Sequence, residues 1–476
     1  MDKYKKLLSN TLIFAIGMFS SKLLTFFMVP FYTNVLTENE LGTAGLVVQA
    51  ANLLIPVVSC GVANSIIRYG LDRTFRKRDV FTGGVTMVAA GYLLFFLFRP
   101  LIAKIPLIHD YTSLIYLYVL TSCLRSLCSQ FIRARELVRL YAFDGVLSII
   151  TVITCNILFL SVLKLGITGY VLATIISDAL SALFLFTIAS LHRYIRFRRM
   201  DWSVAGSMLR FSLPLIPTTL FWWITNVSDR YMVSYFISAD ANGLYDLAYK
   251  VPTMITVVSG IFSDAWQMSA FTEKGPGRDR FFSNIFNAYQ ALIFTAASGL
   301  ILFCKPITAM LVLGPKNAFY PAWQYIPLLV IATVFSCFVT FLGSIYMVGR
   351  KSIATLLTTI LGAAVNVGLN LLLIPNPKFG VNGAAFATFM SYLVVFLVRI
   401  ADTRRIVRLR WRPFKLLVNL FLLLFQTWIL LSFQEDWILP EILLCLLVIL
   451  LNLKQIVINI DRFLRRRRAP RLPGAT

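Results

Sequence analysis

The residues of this sequence that could do chemistry are charges placed where charge is expensive. Lys22, Arg125, Arg230 and Lys250 stand inside stretches that are otherwise apolar, and Asp178, Asp229 and Asp264 are acidic members of the same kind of stretch. A charge in a membrane span costs at least about 2.5 kcal/mol on insertion scales, so each should face water or the protein interior. The bases, with Arg68 at the end of a span, are candidate ligands for an anion. The acids Asp178, Asp229 and Asp264 are candidates for coupling to Na+ or H+. Nothing resembles a catalytic constellation, and two histidines with seven cysteines scattered through apolar segments give neither a disulfide framework nor a metal-ligand spacing.

Spacing narrows the roles. Asp229 and Arg230 are neighbours, about 100° apart on a helix, and cannot form a simple face-to-face pair. Asp246 and Lys250 stand at i and i+4 with the acid first, the favourable order for an intrahelical bridge. Arg125 has Asp144 and Asp178 as candidate partners across helices. Lys22 lies about 22 Å into its helix at 1.5 Å per residue, with no acidic residue within helical reach. Arg399 and Lys454 lie near helix ends and are expected to snorkel.

The elements that must position these charges are transmembrane helices. Of 476 residues, 58% are hydrophobic and 14% charged, with a mean hydropathy of +0.77. No soluble core could absorb that balance. Stretches near the 20 residues a helix needs to cross the hydrocarbon recur along the chain. They predict an all-α integral membrane protein of about fourteen transmembrane helices, at 7–30, 41–66, 80–103, 111–132, 141–163, 166–191, 208–237, 243–270, 281–303, 321–348, 352–374, 380–401, 415–433 and 438–459. The first is too long for a removed signal peptide and is expected to stay.

The formal charge of +24 would suit a nucleic-acid binder, but its distribution argues otherwise. Thirty-three of the 45 lysines and arginines fall in alternate connections, between residues 3 and 6, 68 and 78, 133 and 139, 193 and 210, 274 and 280, 350 and 351, 404 and 415, and 462 and 471. The intervening connections hold only Arg99, Lys104, Lys164, Lys305, Lys316 and Lys378. This alternation follows the positive-inside rule at every crossing and places both termini on the cytoplasmic side of the inner membrane. Anionic membrane lipids, not nucleic acid, are the partners it implies.

A repeat organises the spans. GITGYVLATIIS at 166–177 matches GVNGAAFATFMS at 380–391 in five of twelve positions at an offset of 214, and Asn156 matches Asn370 at that offset. A fainter match at offset 201 pairs Gly42 with Gly243. Six helices per repeat make the two lobes parallel, related by a pseudo-two-fold axis along the membrane normal. The expected domains are an N-lobe over 1–191, an inner-face linker over 192–207, a C-lobe over 208–403, and a terminal helix pair with a basic tail over 404–476. The linker, HRYIRFRRMDW, should lie in the interface as an amphipathic helix. Pro56, Pro214, Pro217 and Pro252 interrupt spans and are candidate hinges.

Together with that architecture, four segments carry a family resemblance across nearly the whole chain: SNTLIFAIGMFSSKLLTFFMVPFYTNVLTENELG from Ser9, SDRYMVSYFISADANGLYDLAYKV from Ser228, GPKNAFYPAWQYIPLL from Gly314 and GVNGAAFATFMSY from Gly380. The chain resembles the polysaccharide-exporting branch of the multidrug/oligosaccharidyl-lipid/polysaccharide (MOP) exporter superfamily, the Wzx-type oligosaccharide flippases. The resemblance implies flipping of a polyprenyl-diphosphate-linked oligosaccharide from the inner to the outer leaflet, by alternating access through a cationic central cavity. It also implies no cofactor beyond a coupling ion or the membrane potential, and makes polysaccharide polymerase machinery a candidate partner.

Physics makes such a protein necessary, because each sugar hydroxyl stripped of water without a partner costs about 2–7 kcal/mol. The alternative is an ion-coupled multidrug or organic-cation exporter of the same superfamily, a common branch of which relies on an acid in the first helix. From Leu7 to Val35 this chain has none, which favours the anionic substrate. A membrane glycosyltransferase or polymerase would need carboxylates or arginines in large outer loops, and the loops here are short.

Overall fold

The computed structural model describes residues 26–72, 74–102, 109–272, 277–314, 317–349, 351–433 and 436–468. Every regular element described is helical: α1 (Val29–Val35), α2 (Glu38–Val58), α3 (Val62–Leu71), α4 (Lys77–Leu97), α5 (Thr112–Ala134), α6 (Val138–Asn156), α7 (Gly166–Ile188), α8 (Trp202–Ser212), α9 (Leu215–Phe236), α10 (Ala239–Lys250), α11 (Thr253–Thr272), α12 (Arg278–Leu302), α13 (Ile326–Val348), α14 (Ser352–Leu373), α15 (Gly380–Thr403), α16 (Pro413–Ser432) and α17 (Ile438–Arg468), with short helical turns between some of them. Among the described residues, eleven helical segments are long and apolar enough to cross a membrane. Backbone groups in hydrocarbon must be satisfied within the segment, and the helix does this.

Three expected spans are broken, each near a proline. Pro56 sits in the last turn of α2, and Cys60 (φ 51°) and Gly61 (φ 65°) then adopt the left-handed conformation before α3 begins. Pro214 separates α8 from α9, and Pro252 separates α10 from α11. Pro217 is tolerated in the first turn of α9, where its missing N–H would have no intrahelical acceptor.

The expected amphipathic linker helix is a correction. Residues 191–199 form two short 3₁₀ turns, Leu191–Tyr194 and Phe197–Arg199, and the next α-helix starts only at Trp202. Tertiary contacts override the periodicity. Thr82 Oγ1 donates to the Tyr194 carbonyl (2.9 Å) and accepts from the Arg196 N–H (3.1 Å). Tyr194 packs edge-on to Phe131 and lies under the Arg135 guanidinium.

Contacts group the chain into two compact units, Met1–Asp246 with Leu311–Phe319, and Leu247–Met310 with Tyr320–Thr476. In the first, α7 packs on α5 and α6, α2 on α5, α7 and α9, and α8 on α3 and α4. In the second, α15 packs on α13 and α14, and α12 on α13, α16 and α17.

The 214-residue repeat is real at the level of hydrogen bonds. Ser177 Oγ donates to the Ser148 carbonyl, and Ser391 Oγ to the Gly362 carbonyl, each at 2.9 Å. Gly166 and Gly380 both open their helices at positive φ, 52° and 49°. A Cβ on Gly169 would meet Phe159, and one on Gly383 would meet Leu373. These pairs all share the offset, so each unit builds the same close-packed helix pair from its own copy of the sequence.

Candidate functional site

In the first unit, α5, α6 and α7 enclose a charge cluster. Arg125 NH1 contacts Asp178 Oδ1 at 2.7 Å, and NH2 lies 3.8 Å from Asp144 Oδ2. Ser122 donates to Asp178 and Ser181 to Asp144. Both carboxylates are buried, at 5% and 3% exposed. Both partners foreseen for Arg125 are therefore present together, and two carboxylates facing one guanidinium leave a formal charge of −1 in the cluster.

The second unit has a guanidinium at the corresponding helix triplet, supplied by a different helix. Arg399 on α15 donates from Nε to Thr358 Oγ1 (3.0 Å), from NH1 to the Val339 carbonyl (2.9 Å) and from NH2 to Thr359 Oγ1 (3.4 Å). It is 5% exposed, so the expected snorkelling is wrong. Its side chain turns sideways into α13 and α14, where hydroxyls and a carbonyl satisfy the guanidinium. Thr358 stands where the repeat places Asp144 in the first unit. The Lys454 side chain lies outside the described residues.

A second cluster joins α9 to α10 and rests on α2. Asp229 accepts from Tyr245 Oη (2.8 Å), and Arg230 NH1 meets Asp246 Oδ1 at 3.1 Å. Adjacent residues of α9 thus reach adjacent residues of α10, as 100° of separation permits and face-to-face pairing would not. Asp246 is engaged by Arg230, a pairing that the i, i+4 reading with Lys250 did not foresee; Lys250 ends α10. Tyr231 Oη donates to the Leu46 carbonyl (2.7 Å), Trp223 Nε1 to the Gln49 carbonyl (3.1 Å) and Asn242 Nδ2 to the Gly42 carbonyl (3.0 Å).

Small residues allow this approach. A Cβ on Gly42 would lie 2.2 Å from the Ala239 carbonyl oxygen, and one on Gly243 2.1 Å from that of Glu38. The faint offset-201 pairing of these two glycines therefore marks a direct helix crossing. Only the absence of side chains lets the backbones come so close.

Arg68 caps neither cluster. Its guanidinium lies 4.2 Å from the Phe211 ring centroid, a cation–π contact between α3 and α8. Lys22 and the side chain of Asp264 lie outside the described residues, although the backbone of Asp264 belongs to α11. Sequence reasoning missed Ser122, Ser181 and Tyr245 as carboxylate partners; for the two serines, a hydroxyl one turn from an intramembrane charge was the available signal.

A family model described as polysaccharide biosynthesis protein matches residues 7–266. No curated protein matches the sequence. Among solved structures, the lipid II flippase MurJ in an inward closed conformation superposes with a TM-score of 0.67 at 16% identity, covering 94% of this chain and all (100%) of that one. An inward-facing multidrug resistance MATE family transporter of the MOP superfamily gives 0.68 at 13% identity, covering 82% and 98%. A MOP superfamily transporter from Pyrococcus furiosus, described as having a binding pocket of reverse polarity, gives 0.59 at 13% identity, covering 83% and 96%. At these identities the likeness establishes the fold alone. The charge of the substrate has to be argued from residues.

Proposed function

This chain belongs to the polysaccharide biosynthesis protein family, within the MOP exporter superfamily, and on that premise we propose that it flips a polyprenyl-diphosphate-linked oligosaccharide from the inner to the outer leaflet of the cytoplasmic membrane. Both termini are then cytoplasmic, and the cycle is alternating access around basic residues. The observation that carries the reading is the family match over 7–266, which spans all five proposed anion ligands: Lys22, Arg68, Arg125, Arg230 and Lys250. The absence of Asp and Glu between Leu7 and Val35 supports an anionic rather than a cationic cargo. A polysaccharide polymerase is the natural recipient of such a product.

Arg230 is the ligand on which the proposal leans most. A guanidinium that already holds Asp246 with NH1 can exchange that carboxylate for a phosphate, since both offer the same planar pair of acceptors. Outward movement of the diphosphate runs with an inside-negative potential, worth about 2.3 kcal/mol per charge per 100 mV. The potential can supply part of the drive.

One observation favours a second reading. The carboxylate excess around Arg125 is where a proton or Na+ would balance the charge, as ion-coupled export of a drug or organic cation requires. Reconstituted vesicles loaded with a labelled lipid-linked glycan separate the two. We expect wild type to translocate the glycan and Arg230→Ala to do so at least tenfold more slowly. Normal rates in Arg230→Ala and Lys250→Ala, with export of an organic cation that Asp178→Asn abolishes, would give the second reading the case.

A further inference from the structure

Away from both clusters, the second unit encloses an acid that neither the repeat nor the proposed cargo site uses. Glu441 stands in the first turn of α17 and is 0% exposed, as are Gln426 of α16 and Ser298 of α12. The three side chains form one hydrogen-bonded chain across these helices. Ser298 Oγ donates to Gln426 Oε1 (2.8 Å), and Gln426 Nε2 donates to Glu441 Oε2 (2.9 Å). The other carboxyl oxygen, Glu441 Oε1, has no hydrogen-bond partner among the described residues.

No ion pair offsets this carboxyl among the described residues. The helices packed on α17 bring it only neutral groups, Ser298 from α12 and Gln426 from α16. The ionisable groups within its electrostatic reach are Cys304 and Lys305, at the start of the short helix Cys304–Leu311. Lys305 is engaged elsewhere. Its Nζ lies 4.4 Å from the ring centroid of Trp323 and 4.6 Å from that of Trp437, so two indoles hold one ammonium by cation–π contact.

An ionised carboxylate taken out of water needs a counter-ion and a donor for each oxygen, and Glu441 has one amide donor and no counter-ion in place. The N-terminus of α17 favours an anion, but that effect is far smaller than the desolvation of an unpaired carboxylate. The neighbours fit the acid as well as the anion. Gln426 turned over about its last torsion presents its carbonyl to a Glu441 O–H and its Nε2 to the Ser298 oxygen, keeping both contacts. A proton bonds to the carboxyl itself and needs no cavity.

We propose that Glu441 is a proton-binding site, a carboxylic acid in this conformation, and that loss of its proton draws Lys305 off the two indoles into an ion pair with it. Lys305, Trp323 and Trp437 lie on connections that the charge distribution assigns to the outer face. The proton therefore exchanges with that side, and the start of α17 responds to outer pH.

Infrared spectroscopy and tryptophan fluorescence of the purified full-length protein test this without any transport measurement, so the proton site and the flippase reading can fail separately. At about pH 6 exposed carboxyls are ionised. Wild type should there show the C=O stretch of a protonated carboxyl, shifted in D2O, and the difference against Glu441→Gln should contain that band. Raising the pH should remove it, and tryptophan emission should change over the same range in wild type but not in Glu441→Gln. Lys305→Met withdraws the cation that favours the anion, so the band should persist to higher pH. Each variant is checked for an unchanged Tm in detergent; should Glu441→Gln not fold, Glu441→Asp, which displaces the band, takes its place. No carboxylic-acid band in the wild-type difference, a band that keeps its proton until the protein unfolds, or a titration indifferent to Lys305→Met would each overturn the assignment.

Discussion

Replacing Arg125 by leucine should lower the stability of the purified protein by about 3–5 kcal/mol, the usual cost of stranding one side of a buried ion pair. Asp178 at 2.7 Å and Asp144 at 3.8 Å would then face each other across an apolar gap, with Ser122 and Ser181 as their remaining hydrogen-bond donors among the described residues. Arg125→Lys should fall in between, because a point charge cannot fork toward two carboxylates. Removing charge from the other side should behave differently. Asp144→Asn leaves a one-to-one pair of Arg125 with Asp178, and should cost far less than Arg125→Leu. Combining Arg125→Leu with Asp178→Asn should recover part of the loss, a coupling that a double-mutant cycle reads directly. Thermal or denaturant unfolding in detergent decides the matter. If Arg125→Leu unfolded within about 1 kcal/mol of wild type, the cluster would not be holding α5, α6 and α7 together.

How much of this could be read from residues alone differs from feature to feature, for physical reasons. Spans were legible because hydrocarbon imposes one requirement on every residue of a segment, so the signal accumulates along it. Local periodicity was less reliable: the amphipathic pattern at 192–202 lost to Thr82, whose hydroxyl takes both a carbonyl and an N–H from that stretch. The repeat was legible through small and polar residues, and Ser177 with Ser391 proved to make the same bond twice. Charge pairing was only partly legible. Asp144 and Asp178 could be named as partners of Arg125, because the repeated helices had to pack together. Arg399 could not be placed, because its position four residues from the end of α15 says nothing about which way it turns. Its partners are Thr358, Thr359 and a main-chain carbonyl, groups too common in membrane helices to stand out. Asp246 illustrates the same limit: Lys250 was visible one turn away, whereas Arg230 became available only through the crossing of α9 and α10.

The close approach of α10 to α2 rests on two hydrogens where side chains would otherwise stand, and Gly243→Ala should therefore be among the most damaging single-methyl changes in the molecule. Its Cβ would lie 2.1 Å from the Glu38 carbonyl oxygen, and backbone cannot yield as a flexible side chain does. The two helices would have to part by about 1 Å, and overpacking of this kind typically costs about 1–3 kcal/mol. Function should suffer more than stability. Parting α10 from α2 stretches the bond from Asn242 to the Gly42 carbonyl, and it shifts Asp246 against Arg230, the guanidinium proposed to meet the substrate. Gly42→Ala attacks the same contact from the opposite side, with its Cβ 2.2 Å from the Ala239 carbonyl oxygen, and should give the same phenotype. Gly299→Ala, in α12 with nothing within 4 Å of the added methyl, is the control and should be neutral or slightly stabilising, because alanine favours the helix over glycine by up to about 1 kcal/mol. Tm in detergent and glycan translocation in vesicles, measured on all three, separate a general intolerance of alanine from a crossing that has no space for it. Wild-type Tm and transport in both Gly42→Ala and Gly243→Ala would mean that α2 and α10 do not need this contact, and that Arg230 is positioned by something else.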